Sequence, residues 1–523
     1  MFCSFFLSSP SALGQEEHGT APAGIGEAIV SQEEIPHGTT EVGADHGHAV
    51  GEAHGGEAHA EHKLTVPSIV WILPFVCLLM CIALLPLIPA TEHWWHKNSS
   101  KLTVSLILAL ITIAYYWFRG FGFPHGLHVT DPGFETVKAV FNHAVIADYI
   151  PFMCLLFSLF VISGGISVTG DVPAHPTTNA TVILLGGVLA SFIGTTGAAM
   201  LLIRPLLQIN KERKYVVHTV IFFIFIVCNI GGCLLPIGDP PLFLGYLRGV
   251  PFTWTFHLVV EWGFCLAVVL AVYFIWDSIM YKRETKTDIR HDETEREPIR
   301  IRGGANAMLL LGVVFAVALL VPGKTIPGIN WVVPDLHPFP LGVREIAQLA
   351  LAGISMVITA KAIREANDFN FFAINEVGCL FVGIFITMQV PVEILNLKGP
   401  ELGLQTPVHF FWATGMLSSF LDNAPTYVVF FQTAGTLPWG DSTQLMQGVQ
   451  TATGTIPIPL LVSISIVAVF MGANTYIGNG PNFMVKSIAE QAGVKMPSFF
   501  GYMVYSVGVL IPIFILVTFV FLM

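Results

Sequence analysis

Charge is scarce in this chain of 523 residues: Lys and Arg number 24 and Asp and Glu 35, together 11%, where soluble domains carry about 25%. Too few charged side chains remain to cover a water-facing surface, while 54% of the residues are apolar and the mean hydropathy is +0.70. An ordinary soluble enzyme is excluded. Cysteine is also sparse. Of eight, Cys77, Cys81, Cys154, Cys228, Cys233, Cys265 and Cys379 fall in apolar segments and only Cys3 does not, which points to small packing residues and away from a disulfide framework or a CxxC metal pair. No GxxxxGK[ST] loop and no HExxH stretch is present, so neither a nucleotide-driven engine nor an intramembrane metalloprotease is expected. With no catalytic constellation and no cofactor motif, the chain does not read as an enzyme. The net charge of −11 is local. Residues 1–63 hold ten acids against the single base Lys63, the remainder is close to neutral, and no basic patch offers itself to nucleic acid.

Residues 1–15 combine a short apolar run with the small-residue pattern Ala12-Leu13-Gly14, a signal-peptide reading that lacks the basic n-region. Residues 16–63 are rich in Gly, Ala, Glu and His, with seven histidines and no apolar periodicity. They are expected to be a disordered tail. Clustered imidazoles and carboxylates suit zinc or nickel, but nothing in the spacing fixes a coordination geometry.

What the chain does have is long apolar windows. The pattern predicts an all-α polytopic membrane protein with ten spans at 67–89, 102–120, 146–168, 216–246, 255–281, 304–322, 343–361, 373–396, 455–487 and 499–521. Two further apolar segments, 180–208 and 405–435, are interrupted near their middles by Gly194-Thr195-Thr196-Gly197 and Asp422-Asn423-Ala424-Pro425. Each is read as a re-entrant hairpin, which is tolerable at membrane depth where it is buried in protein or lines a wet cavity. With the tail outside, this layout puts 17 of the 24 bases on the inner side. The charged run from Tyr281 to Arg302 becomes a solvated inner linker between a first membrane half (64–281) and a second (304–523).

The halves repeat. Ser191-Phe192-Ile193-Gly194-Thr195-Thr196 aligns with Ser419-Phe420-Leu421-Asp422-Asn423-Ala424 at an offset of 228 residues, and Ile237-Gly238-Asp239-Pro240-Pro241 with Ile477-Gly478-Asn479-Gly480-Pro481 at an offset of 240. Each half thus carries a hairpin and a broken helix, and the topology makes the two copies inverted. Two inverted repeats with broken helices place a transported solute near the midplane, where the interruptions meet.

The interruptions carry the chemistry. Asn229-Ile230-Gly231-Gly232 and Pro236-Ile237-Gly238-Asp239-Pro240-Pro241 sit inside an apolar span where Gly and Pro forbid regular helix, leaving carbonyls free to join side-chain oxygens around a cation such as sodium. The second break offers Asn474, Thr475, Asn479 and Asn482; the hairpins offer Thr195, Thr196, Asn423 and Thr426. Asp239 and Asp422 are the ionisable members. A carboxylate in the bilayer is costly and, unless partnered, takes a proton. Sodium and proton competing for it is the simplest antiport chemistry, and neutralising either Asp is expected to abolish exchange. Asp148 and Glu376 lie near helix starts as candidate proton relays. His218 is left outside the site as a capping or interfacial residue.

The run from Phe222 to Trp254 (FFIFIVCNIGGCLLPIGDPPLFLGYLRGVPFTW), with LDNAPTYVVFF (421–431) and GANTYIGNGPNFMV (472–485), resembles the ion transporter superfamily, and within it the NhaD-like sodium/proton antiporters and related citrate transporters. The resemblance covers roughly residues 140–520. It implies ion-clamping hairpin tips and broken helices, a homodimer in a bacterial inner membrane whose transport domains move against a fixed scaffold, and importance for the Asn and Asp ten residues apart, here Asn229 and Asp239. The NhaD-like pattern has an Asp-Asn pair in the first hairpin; this chain has Thr195-Thr196 there and Asp422-Asn423 in the second. Because no Arg or Lys falls within the four breaks, sodium (or lithium) for proton exchange is favoured over sodium-coupled citrate or dicarboxylate uptake.

Overall fold

The computed structural model describes residues 65–125, 128–285, 297–336, 339–437 and 448–523. The signal-peptide and histidine-tail readings, and linker residues 286–296, lie outside them. Runs of Leu, Ile, Val and Phe with no competing charge form helices, the one open structure that satisfies its own backbone in lipid. Among the described residues six helices are long and apolar enough to cross a membrane: Asn98–Phe118, Phe134–Ser163, Pro176–Ile193, Phe252–Tyr281, Phe372–Leu402 and Phe499–Leu522. The pair Ile69–Leu84 and Pro89–Trp95, bent by 103°, makes a seventh if taken as one span. Leu110, Val357, Phe500 and Phe519 stand exposed on outer faces, as lipid-facing side chains do.

The ten expected spans are therefore not ten unbroken rods. The segments 304–322 and 343–361 hold helices of 15 and 16 residues, Ala305–Leu319 and Val343–Ile358, or roughly 23 Å each. The two segments 216–246 and 455–487 are each split into two helices and a 3₁₀ turn. The expected span 146–168 begins earlier, at Phe134, and stops at Ser163 because Gly164 and Gly165 end it and Ser167–Asp171 becomes a strand. The first arm of the first hairpin, Pro176–Ile193, is itself long enough to span.

Nor is the chain purely α-helical. Among the described residues three antiparallel two-stranded ribbons pair Pro124–His125 with His128–Val129, Ser167–Asp171 with Glu297–Arg302, and Gly448–Thr451 with Gly454–Pro457. The second ribbon makes the described end of the linker, expected as a solvated charged loop, an exposed strand. Ile299 and Ile301 alternate with Arg300 and Arg302, a period of two, and Arg302, Ile301 and Arg300 stand opposite Ser167, Val168 and Thr169. The end of the linker is thereby hydrogen-bonded to the segment that enters the first hairpin. Asp171 at the end of this strand pairs with Lys211 beyond the hairpin at 2.8 Å, and that hydrogen bond raises the Lys211 ammonium above its ordinary range.

The halves interlock. Asn98–Phe118 packs along Phe372–Leu402, close enough that a Cβ on Gly383 would lie 2.7 Å from the Cβ of Ser105. Where the first hairpin leads into the first broken helix, Asp277 is fully buried and accepts from Arg213 Nη2 at 2.6 Å and Nη1 at 3.1 Å and from Tyr273 Oη at 3.2 Å, with His218 Nε2 at 2.9 Å. His218 therefore belongs to a buried ionic network that ties Phe252–Tyr281 to the start of the broken helix.

Candidate functional site

The first hairpin turns at one residue. Gly194 (φ +78°) separates Pro176–Ile193 from Thr195–Ile209, a backbone conformation that favours glycine. The turn docks on the first break, where Thr195 N donates to Gly238 O at 2.9 Å and Ser191 Oγ donates to Gly231 O at 2.5 Å. The second hairpin turns through extended Leu421 and Asp422 between Pro407–Phe420 and Asn423–Gly435, with the Asp422 carboxylate capping the second arm by accepting from Ala424 N at 3.2 Å.

The two breaks are built alike. The first runs Val217–Ile226, a 3₁₀ turn at Ile230–Cys233, then Pro240–Leu247; the second runs Ile458–Phe470, a 3₁₀ turn at Met471–Asn474, then Gly480–Gln491. Asp239 and Asn479 precede the second half-helices with near-identical extended backbones, φ −146°, ψ 145° and φ −154°, ψ 139°. Before each of them the chain crosses itself at glycine. A Cβ on Gly238 would sit 2.2 Å from Gly232 O, and one on Gly478 2.6 Å from Gly472 O.

Asp239 is the meeting point. It is 2% exposed. Oδ1 accepts from Thr195 Oγ1 of the first hairpin at 2.9 Å and from Asn479 Nδ2 of the second break at 3.2 Å, and Oδ2 accepts from Asn423 Nδ2 of the second hairpin. One carboxylate thus takes a hydrogen bond from each of the other three interruptions. Asn229, fully buried, joins the same set: its Nδ2 donates to Asn482 Oδ1 and Ile224 O, both at 2.8 Å, and its Oδ1 accepts from Asn479 at 3.3 Å. Asn482 in turn donates to Gly472 O and Thr475 O at 2.8 and 2.9 Å, so it holds the carbonyls of the second break in place.

The remaining expected residues are distributed around this centre. Thr475 Oγ1 donates to Ser419 O at 2.5 Å and accepts from Gly478 N, while Asn474 Nδ2 donates to Ser419 Oγ at 2.8 Å. Thr426 Oγ1 donates to Asp422 O at 3.0 Å, one helical turn back. Thr196 and Asp422 are half-buried, and neither makes one of the three contacts to Asp239. The two candidate relays lie in ion pairs elsewhere, Asp148 with Arg248 at 2.8 Å and Glu376 with Lys101 at 2.5 Å. Ser191 and Ser419, which tie each hairpin to its break, stand in the aligned repeat, but their hydroxyl roles leave no mark on a hydropathy match.

Chemically the shell is neutral around one acid. Its donors are a hydroxyl and two amides; the hydroxyl can turn an oxygen inward as readily as a hydrogen, whereas the Asn479 amide is held by a further bond from Nδ2 to Cys228 O at 2.9 Å. The amide oxygens Asn423 Oδ1 and Asn474 Oδ1 are buried without a protein hydrogen-bond partner, the kind of acceptor a small cation takes. Among the described residues no three His, Cys, Asp or Glu side chains gather into a transition-metal site, and the seven described cysteines are free. Compared with known proteins, residues 64–522 match the family model CitMHS_2, described as putative citrate transport. No curated protein matches the chain.

Proposed function

Because the chain belongs to the CitMHS_2 family, described as putative citrate transport, we propose that it is a secondary transporter that exchanges sodium (or lithium) for protons at Asp239. The observation that carries this reading is the buried carboxylate held by Thr195, Asn423 and Asn479, with no Lys or Arg among its described partners. A carboxylate out of water needs a counter-charge or a proton. Sodium supplies the first and excludes the second. Rotation of the Thr195 hydroxyl and of the Asn423 amide, whose Oδ1 has no protein partner, turns two of the three donors into oxygens around a cation while Asn479 Nδ2 stays bonded to Cys228 O at 2.9 Å, so binding needs little rearrangement of the backbone. Asn474 and Thr475 extend the oxygen-rich surface on the second break, and Asp422 gives a second carboxylate one residue from Asn423.

Two halves with the same hairpin and broken-helix order, related as inverted repeats, would let this site face either side by exchanging the arrangements of the two copies. On this reading the tail lies outside, the linker inside, and the working unit is a homodimer.

Purified protein in liposomes with a trapped pH dye tests the reading. Sodium or lithium added to one side is expected to move protons out of the opposite compartment, with potassium inert. The family description, putative citrate transport, favours a second reading, uptake of citrate or a related carboxylate, which we propose would be sodium-coupled, with bound sodium attracting the anion. Proton movement that answers citrate and ignores sodium alone would replace the first reading with the second.

A further inference from the structure

We propose that the buried ion pair between Asp148 and Arg248 is a latch that must open for the site to change the side it faces. The proposal rests on the transporter reading, and it concerns the movement of the site and not its cargo. Arg248 follows the half-helix Pro240–Leu247, whose first residue is preceded by Asp239. Eight helical residues make a rod of about 12 Å, so Arg248 and Asp239 move together. The rod is packed with the other interruptions: the Tyr427 hydroxyl of the second hairpin would lie 2.3 Å from a Cβ on Gly245, and Arg248 O accepts from Ala452 N, in the ribbon that enters the second broken helix, at 2.8 Å.

Asp148 belongs to a different packing body. It sits in Phe134–Ser163, which is fixed to Phe372–Leu402 by Tyr149 Oη donating to Gly378 O at 3.1 Å and by Phe152 stacked on Phe381 with ring centroids 4.9 Å apart. The Asp148–Arg248 contact, 2.8 Å between residues 5% and 7% exposed, therefore joins the body that carries the breaks to the body that does not. His143 Nδ1 lies 4.0 Å from the same Asp148 oxygen. A second ion pair crosses from the first hairpin to the loop before Phe372, Arg204 with Asp368 at 2.9 Å, but its side chains are 30% and 74% exposed. Exposed pairs separate at little cost, whereas buried ones leave uncompensated charges. The first broken helix is held to that body at Arg248 by a buried pair, whereas the first hairpin meets it at Arg204 through an exposed one. Passage of the site from one side to the other accordingly waits for Asp148 and Arg248 to part.

The test cross-links the latch. Asp148→Cys/Arg248→Cys is reconstituted and treated with a short bifunctional methanethiosulfonate, and flux is followed with whichever of sodium-driven proton movement or citrate uptake the untreated wild-type vesicles show, so that a wrong cargo does not disturb the result. Wild-type chain given the same reagent is the reference. Cross-linking is expected to remove at least nine-tenths of the flux and reduction to restore it; full flux through the cross-linked protein would overturn the proposal. If the double cysteine variant does not fold, the neutral pair Asp148→Asn/Arg248→Gln gives a second reading. Alkylation of Cys233, buried in the first break, by a small maleimide is expected to speed up at least threefold, read by peptide mass spectrometry. An unchanged rate in the folded neutral variant would equally overturn it.

Discussion

Asp239 and Asn479 occupy the same place in two copies of one motif, 240 residues apart, and they touch: the Asn479 amide donates to the Asp239 carboxylate at 3.2 Å. Each precedes a half-helix with the same extended backbone. The motif is repeated, but only one copy carries the acid.

That asymmetry gives the first prediction. Asp239→Asn is expected to lower sodium-dependent proton flux by at least about 100-fold, the upper end of what losing a group that merely supports a cation ligand costs, with membrane insertion unchanged. Asp239→Asn/Asn479→Asp, which moves the acid to the equivalent position, is expected to recover part of the flux. Proteoliposome flux checks both, and full activity in Asp239→Asn would remove Asp239 from the mechanism.

Asp422 is expected to matter less than its position in the sequence suggests. Its carboxylate caps its own helix through Ala424 N and takes none of the donors that reach Asp239. Asp422→Asn should weaken apparent sodium affinity by about tenfold while maximal flux persists. The sodium concentration giving half-maximal flux measures it.

Competition for one carboxylate fixes a pH dependence. On the exchange reading a proton on Asp239 leaves before sodium binds, so the sodium concentration for half-maximal flux is expected to rise as pH falls, by about tenfold per unit where the sodium-free site is protonated, and to level off above that range. A half-saturation constant that does not change with pH would argue against a shared site.

Close backbone crossings in the breaks leave no room for a methyl group. Gly238→Ala places Cβ 2.2 Å from Gly232 O and should destabilise by about 1–3 kcal/mol or more. Gly480→Ala, with open space around it, should stay within about 0.5 kcal/mol of wild type. Thermal unfolding in detergent separates the two.

The Arg213–Asp277 pair is predicted to be structural. Asp277→Ala removes the hydrogen-bonded carboxylate of buried Arg213 and leaves it Glu284 Oε1 at 3.8 Å as its anionic partner, which should cost about 3 kcal/mol and appear as a lower midpoint in the same unfolding measurement. Sodium affinity of the protein that remains folded is expected to be unchanged.

The positions of the four interruptions were legible in the sequence, because Gly, Pro and polar residues clustered inside an apolar window disfavour regular helix more than a single one does: Pro205 and Pro512 each stand alone inside a helix. Asn229, Asp239, Asn479 and the hairpin turns were legible for that local reason. Which of those groups meet was decided only by tertiary structure. Asn423 reaches Asp239 across 184 residues and Asn229 reaches Asn482 across 253, and such contacts depend on how whole helices pack. The same packing gave the candidate relays Asp148 and Glu376 each a cation 100 and 275 residues away, and it turned the end of a charged linker into a strand by supplying Ser167–Asp171 as its partner. Local composition marks where helix cannot continue; long-range packing assigns the partner of each polar group left behind.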